Sequence, residues 1–299
     1  QEISTPIMVK NQLFKDSGHW DKFGYHNMYN LAIWEDEEID EAKQQITQNR
    51  DLIKNSIKLG SPRYFPFKMK IHNQTVEAEI IPTDFEKKEF LWNLPMNYSL
   101  KPMNCPESTI LYSYRPRSYK ELPLRFSEIG RLHRREKAGE VNGLLRVRQL
   151  TMDDAHIYAS EDQIFDEVSK ILDMMIEYYK SFGFEYEFRL ATRPETRAGS
   201  DENWDKAERT LVEALEKKGL KAGDKLGDGA FYGPKIDVHI KDAQGRDWQL
   251  ATVQLDFHQP EAFKLEYTDE KGNKSRPVMI HRAIFGSFER FIAILTEHF

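Results

Sequence analysis

The feature that most constrains this chain is the order of its periodic segments after Tyr98. Long strand-like stretches follow one another there, and the helical segments do not alternate strictly with them. A helix is expected from about Glu161 to Ser181, with Ile164, Val168, Ile171, Leu172, Met175 and Tyr179 on one face and Ser160 and Gln163 at capping-box spacing before it. A second, about Asp201 to Lys218, carries lysines in its last turn and is stopped by Gly219. Tyr186, Phe188 and Leu190 alternate with Glu187 and Arg189, the pattern of a half-buried strand. Two further strands, about Lys235 to Ile240 and Trp248 to Phe257, flank a polar turn at Asp242 to Gly245, and a closing helix begins near Ser287. This order predicts an α+β fold: a mostly antiparallel sheet flanked by helices.

Residues 30–97 have a different texture. An acid-rich helix is expected from about Asp36 to Leu59, with Ile39, Ala42, Ile46, Ile53 and Ile57 at helical spacing and Gly60 as its stop. Phe67 to Ile71, a turn at His72 to Thr75 and Val76 to Ile80 read as a hairpin. The expected organisation is therefore one domain from residues 1–29 and 98–299, interrupted by a small inserted module, 30–97, to which the sequence assigns no role.

No apolar stretch approaches the roughly 20 residues that a membrane helix needs, and Gln1-Glu2-Ile3 lacks the basic and apolar regions of a secretion signal. The expected compartment is the cytoplasm, with no membrane partner. One cysteine, Cys105, excludes an intrachain disulfide. The net charge of -6 argues against a surface that is basic all round, yet Arg115, Arg117, Lys120, Arg125, Arg131, Arg134, Arg135, Lys137, Arg146 and Arg148 crowd into one stretch with far fewer acids. Interleaved with apolar residues and glycines, that run is a candidate polyanion site.

A nucleotide would have to be held by side chains, because the chain has neither a Gly-rich Lys-Ser/Thr loop nor a Gly-x-Gly-x-x-Gly after a strand. Arg134-x-Glu136, a loop, and Arg146-Val147-Arg148 are expected to lie on two paired strands. The guanidinium groups can grip phosphate or carboxylate oxygens in pairs, and Glu136 can accept from an amino group such as adenine N6.

Arg134-x-Glu136 with its loop and Arg146 resembles motif 2 of class II aminoacyl-tRNA synthetases, and His281 to Arg290 resembles their motif 3. With Lys101-Pro102-Met103-Asn104-Cys105-Pro106, Asp153-Asp154-Ala155-His156, Thr192-Arg193-Pro194-Glu195, Gly229 to Lys235 and Thr252 to Phe257, the chain is similar to threonyl-tRNA synthetases in particular. The resemblance runs through nearly all of 98–299, returns at Gly18-His19-Trp20-Asp21 and leaves out the insertion. It implies the class II antiparallel sheet and a ligase that joins threonine to tRNA(Thr) by way of an adenylate. ATP with Mg²⁺ would be a substrate, and the full-length protein would be a homodimer.

Taken singly, a thiol or an imidazole is most often only a packed residue. The resemblance implies instead that Cys105, His156 and His281 hold one Zn²⁺ per chain, leaving it open to the amine and hydroxyl of threonine. By the same resemblance Arg134 would hold the α-phosphate and the threonine carboxylate, Arg146 the outer phosphates, Glu136 the adenine amino group, and Arg290 would stack on adenine and reach the triphosphate. Asp154 would accept from the threonine hydroxyl. Tyr232, Lys235 and Gln254 would line the amino-acid and α-phosphate region, with Gln249 and Thr252 near the ribose and His19 assisting acyl transfer. The chain departs from the family at Leu150, where an aromatic residue usually stacks on adenine, and at Met152, where a glutamine usually stands near the substrate. The motif 1 helix, the domain that hydrolyses mischarged tRNA and the anticodon-binding domain are expected to lie outside this catalytic fragment. Competing readings are a paralogue that adenylates another small acid, a zinc hydrolase built on Cys105, His156 and His281, and a catalytically dead tRNA-binding module.

Overall fold

The computed structural model describes residues 1–31, 36–51, 53, 65–71, 74–84, 89–93 and 98–299. The chain divides into two compact units, Gln1–Tyr29 with Leu100–Phe299, and Asn30–Ser99. The elements of the first that matter below are α1 (Cys105–Ser113), β1 (Leu124–His133), β2 (Gln149–Ala159), α2 (Ile164–Ser181), β3 (Tyr186–Ala191), α3 (Asp201–Lys217), β4 (Ala222–Lys225), β5 (Lys235–Lys241), β6 (Asp247–Asp256), α4 (His258–Ala262), β7 (Val278–Ser287) and α5 (Phe288–His298).

Seven strands form one sheet in the order β4-β3-β5-β6-β7-β2-β1. Every pairing in it is antiparallel except that of β4 with β3. The expected α+β architecture is what the chain adopts. Because side chains alternate across a strand, each strand sends one set to each face. Ile157, Phe188, Ile236, Val238, Val253, Leu255, Ile280 and Ile284 pack with Val168, Leu172 and Met175 of α2 and Leu211 and Leu215 of α3, so one face is the main core. The alternate residues of the same strands face the other way and build the site.

The helix expected from Glu161 begins as a short 3₁₀ turn, Glu161–Gln163, and becomes α-helical at Ile164. Gln163 Oε1 accepts from the Ser160 backbone N–H at 3.1 Å, which satisfies one of the donors left over at a helix start. The strand β4 was not foreseen. Its sequence, Ala-Gly-Asp-Lys, has no β-branched or aromatic residue, and only its register with Phe188 to Ala191 makes it a strand.

In the second unit a helix spans Asp36–Gln48, and Phe65–Ile71, Gln74–Asp84 and Glu89–Asn93 form a three-stranded sheet. Ala42, Ile46 and Ile53 are buried, as are Met69, Ile71, Val76 and Ala78 of the hairpin. The expected helix end at Leu59 and Gly60 and the turn residues His72 and Asn73 lie outside the described residues.

One close approach fixes the wall of the site. A Cβ on Gly233 would stand 1.7 Å from the Leu255 carbonyl oxygen, which is backbone and cannot swing aside. The Gly233 carbonyl also accepts from Gln254 Nε2 at 2.7 Å. Gly233→Ala should therefore destabilise the chain by about 3 kcal/mol, the upper part of the usual range for overpacking, and should also displace Gln254. Thermal or denaturant melting measures the first effect. A variant as stable as the parent would contradict the packing described.

Candidate active site

The registers of four strands assemble the site in two rows on the face opposite the main core. Lys235 pairs with Gln254, Gln254 with His281, and His281 with His156. Two residues along, Asp237 pairs with Thr252, Thr252 with Ala283, and Ala283 with Asp154. A period of two in each strand keeps both rows on one face. The small side chain of Ala283 leaves room above the second row. A cavity of about 380 Å³ opens there.

Of the residues expected at the site, Cys105, Arg134, Glu136, Arg146, Leu150, Met152, Asp154, Tyr232, Lys235, Gln249, Thr252, Gln254, His281 and Arg290 all line this cavity. Two do not. His156 is buried beneath the wall, with its ring 5.1 Å from that of His281 at 82°. His19 is fully buried behind Phe231 and Tyr232, with Nδ1 2.8 Å from the Ser17 hydroxyl. Burial pushes His19 down to about 4, so its ring is neutral near pH 7.

Arg134, Arg146 and Arg290 line the cavity together. The expectation that Arg134, Glu136, Arg146 and Arg148 sit on paired strands is corrected: β1 ends at His133 and β2 begins at Gln149. Pairing continues for one step, Arg134 N–H to Arg148 O at 2.8 Å, and then breaks because the Arg135 N–H goes to Asn27 O and the Glu136 N–H to Arg134 O. The four residues therefore stand on a loop at the hairpin tip. Arg146 donates to Glu136 from Nε at 3.2 Å and from Nη2 at 2.9 Å. Arg134 spends only Nε, on Pro102 O at 3.3 Å, among the described residues. Arg290 donates to Leu145 O at 2.8 Å and Gln249 O at 3.0 Å, and its guanidinium lies 5.2 Å from the Trp248 ring. Burial lowers the Arg290 pKa, and the charges of Arg134 and Arg146 lower it further. Three cations share this space with Glu136, and Glu140 stands 3.8 Å from Arg146, so positive charge still predominates there and favours an anionic guest.

Cys105, at the start of α1, and His281 line the same cavity, and His156 is buried beside His281. One ligand atom from each lies within 4.8 Å of the others, and all three residues are buried. Among the described residues, His156 Nε2 and His281 Nδ1 have no hydrogen-bond partner. Burial brings His156 down to about 4, which leaves its ring neutral and able to coordinate. Burial, with Asp154 and Asp256 adding to it, pushes the Cys105 thiol up, whereas a dication at this point would favour the thiolate. Two unpartnered imidazole nitrogens beside a buried thiol fit a three-ligand zinc site with an open position.

Sequence reading assigned no role to three polar residues that hold the others in place. Asp237, fully buried, accepts from Gln249 Nε2 at 2.8 Å and Thr252 Oγ1 at 2.7 Å, and pairs with Lys235. Asn104 donates to Asp154 Oδ2 at 3.0 Å from within the Cys105 motif. Asp153 accepts from the backbone N–H groups of Ile284, Phe285 and Gly286 at 2.8 to 3.0 Å, which clamps the bulge where β7 slips in register against β2. The Lys-x-Asp spacing of Lys235 and Asp237 places both on one strand face, and it was the available signal for the first.

The family model described as the tRNA synthetase class II core domain (G, H, P, S and T) matches residues 92–299. A threonine–tRNA ligase of Clostridium kluyveri is 55% identical over 203 residues, which are 68% of this chain and 32% of that protein. A threonine–tRNA ligase of Carboxydothermus hydrogenoformans is 53% identical over 299 residues, all of this chain and 38% of the relative. This chain thus spans well under half the length of these curated relatives. Among solved structures, one described as the RNA binding domain of threonyl-tRNA synthetase from Cryptosporidium parvum is 34% identical, with a TM-score of 0.74, over 100% of this chain and 60% of that one. With the family's core domain matched over residues 92–299 and its antiparallel sheet present, the chain belongs to the class II tRNA synthetase core-domain family.

Proposed function

We propose that this chain activates threonine with ATP to threonyl-adenylate and, within its whole protein, passes the threonyl group to tRNA(Thr). The observation that carries the reading is one cavity lined by Arg134, Arg146 and Arg290 and also by Cys105 and His281, with His156 buried beside them. The arginines suit a triphosphate, and the group of Cys105, His156 and His281 suits a small hydroxy amino acid. The three ligands would hold zinc, which when bound supplies open positions for the amine and hydroxyl of threonine.

ATP, with Mg²⁺, binds at the arginines. The Arg146–Glu136 pair is nearly half exposed at Arg146, with 45% of that side chain accessible. Such pairs are worth about 0–1 kcal/mol, so exchange is cheap: Glu136 takes the adenine amino group and Arg146 turns to the outer phosphates. Arg290 already stacks one face on Trp248 and offers the other to adenine, with Leu150 supplying apolar contact beside it. Gln249 and Thr252, tied to Asp237, stand near the ribose. Asp154 receives the threonine hydroxyl, while Tyr232, Gln254 and Met152 bound the amino acid. A threonine carboxylate oxygen attacks the α-phosphorus, the bond to the bridging oxygen of the β-phosphate breaks, and pyrophosphate leaves with the electron pair. Arg134 and Lys235 stabilise the charge on the α-phosphoryl oxygens in that step, and Arg290, which also reaches the triphosphate, stabilises the charge that grows as pyrophosphate leaves. His19, fully buried against Phe231 and Tyr232, takes no part in activation.

Metal analysis together with threonine-dependent ATP–pyrophosphate exchange tests this reading. The parent chain should bind one zinc. Cys105→Ala should bind none and lose exchange by far more than it loses stability. A zinc content unchanged by that substitution would sink the metal assignment, and absence of exchange with threonine in a folded, zinc-loaded parent would sink the activity.

A further inference from the structure

Asp256, within the stretch Thr252 to Phe257, takes no part in the proposed adenylation. It is fully buried at the end of β6 and uses both oxygens. Oδ1 accepts from the Gln259 backbone N–H at 2.9 Å, and Oδ2 accepts from Gln259 Nε2 at 2.9 Å. The same Oδ2 lies 2.9 Å from His281 Nε2. A carboxylate only accepts, so the hydrogen sits on His281 Nε2 and the lone pair is left on Nδ1. That Nδ1 is the atom without a partner.

The charge around Asp256 is as telling as its bonds. Among the described residues the one ion-pair contact of Asp256 is to His281, and no lysine or arginine reaches it. Its field is felt by Cys105, His156 and His19, none of which carries a permanent positive charge. A buried carboxylate without a cation is costly. Here it stands one imidazole away from a group of ligand atoms that would share a cation.

Resting on the zinc reading above, we propose that Asp256 is a positioning residue for the metal. It fixes the His281 tautomer and ring direction and supplies the outer negative charge, and Gln259 holds it in place. The geometry does not tolerate the nearest isostere. In Asp256→Asn one of the two oxygens becomes an NH₂ group, and either position already faces an N–H donor. Donor would then meet donor, and His281 would be free to turn or to take the other tautomer.

The test is zinc affinity, measured on the purified chain by competition with a chromophoric chelator. Outer carboxylates on metal-bound histidines typically matter by 10- to 100-fold, so Asp256→Asn should weaken zinc by about that factor. Gln259→Met keeps the backbone N–H and removes only the Nε2 donor. It should weaken zinc by about fivefold, the loss of one hydrogen bond, and it decides the question if Asp256→Asn does not fold. AMP affinity serves as the control, because a general loosening of the cavity would lower it and loss of an outer carboxylate would not. The cobalt-substituted parent should show the visible absorption of a tetrahedral thiolate–imidazole site, shifted in Asp256→Asn. Folded variants that hold zinc as tightly as the parent would overturn the role of Asp256 while leaving the metal reading intact. A parent chain that binds no zinc would overturn both.

Discussion

Valine should be activated about 10⁴-fold less efficiently than threonine, the contrast reached by sites built to bind a hydroxyl when that hydroxyl is missing. The reason lies in what the threonine hydroxyl would meet. Asp154 Oδ2 is engaged by Asn104 at 3.0 Å, and Oδ1 remains for a donor. His156, two residues along the same strand face, brings the metal ligands beside it. A methyl group placed there would leave Asp154 Oδ1 without a donor and the proposed metal short of an oxygen, and no rearrangement of the packed sheet supplies either. Serine differs in another way. It keeps the hydroxyl and lacks one methyl, which is worth only about 1 to 3 kcal/mol in an apolar pocket. Serine should thus be activated to a measurable extent, and Met152 on the cavity wall offers no amide to sharpen the choice. Exchange rates with threonine, serine and valine decide the matter. Equal rates for valine and serine would mean that the hydroxyl is not read, and the threonine assignment would go with it.

The parts of this molecule that were legible in the sequence are those governed by local pattern. The face Ile164, Val168, Leu172, Met175, Tyr179 repeats at helical spacing, and the helix is there with that face in the core. Alternation in β3, β5 and β6 gave strands whose ends agree within a residue or two with the expected ones. The lone cysteine stood in a motif that could be compared with a family, and so did the arginines. What pattern could not supply is pairing between distant segments. The His281–Asp256 bond depends on the register of β6 against β7 across 25 residues of sequence. The end of the arginine hairpin depends on Asn27, whose carbonyl takes the Arg135 N–H. A sequence pattern has no means of showing such a distant partner. For the same reason Asp237 looked like an ordinary strand residue until Lys235, Gln249 and Thr252 were seen to share it.

Arg134→Ala and Arg290→Ala should each lower pyrophosphate exchange by roughly two to three powers of ten, the usual loss for a fixed donor aimed at developing charge. The two should differ in stability. Arg134 makes one long bond, to Pro102 O at 3.3 Å, and burial already works against its charge. Its removal should leave melting nearly unchanged. Arg290 donates to Leu145 O and Gln249 O and lies against Trp248, so its loss strands two carbonyls and should cost about 1 to 3 kcal/mol. Arg134→Lys keeps the charge and gives up the planar fork, and it should recover only part of the rate, because a point charge cannot grip two oxygens at once. The comparison separates catalysis from folding. A rate loss that tracked melting would appear in the Arg290 variant alone, whereas loss of transition-state stabilisation appears in both and is largest relative to stability at Arg134. The effect should fall mainly on the rate at saturating ATP, since the charge these groups meet grows as pyrophosphate departs. Near-normal exchange in both alanine variants would mean that the arginines hold no reacting phosphate, and the cavity would need another explanation.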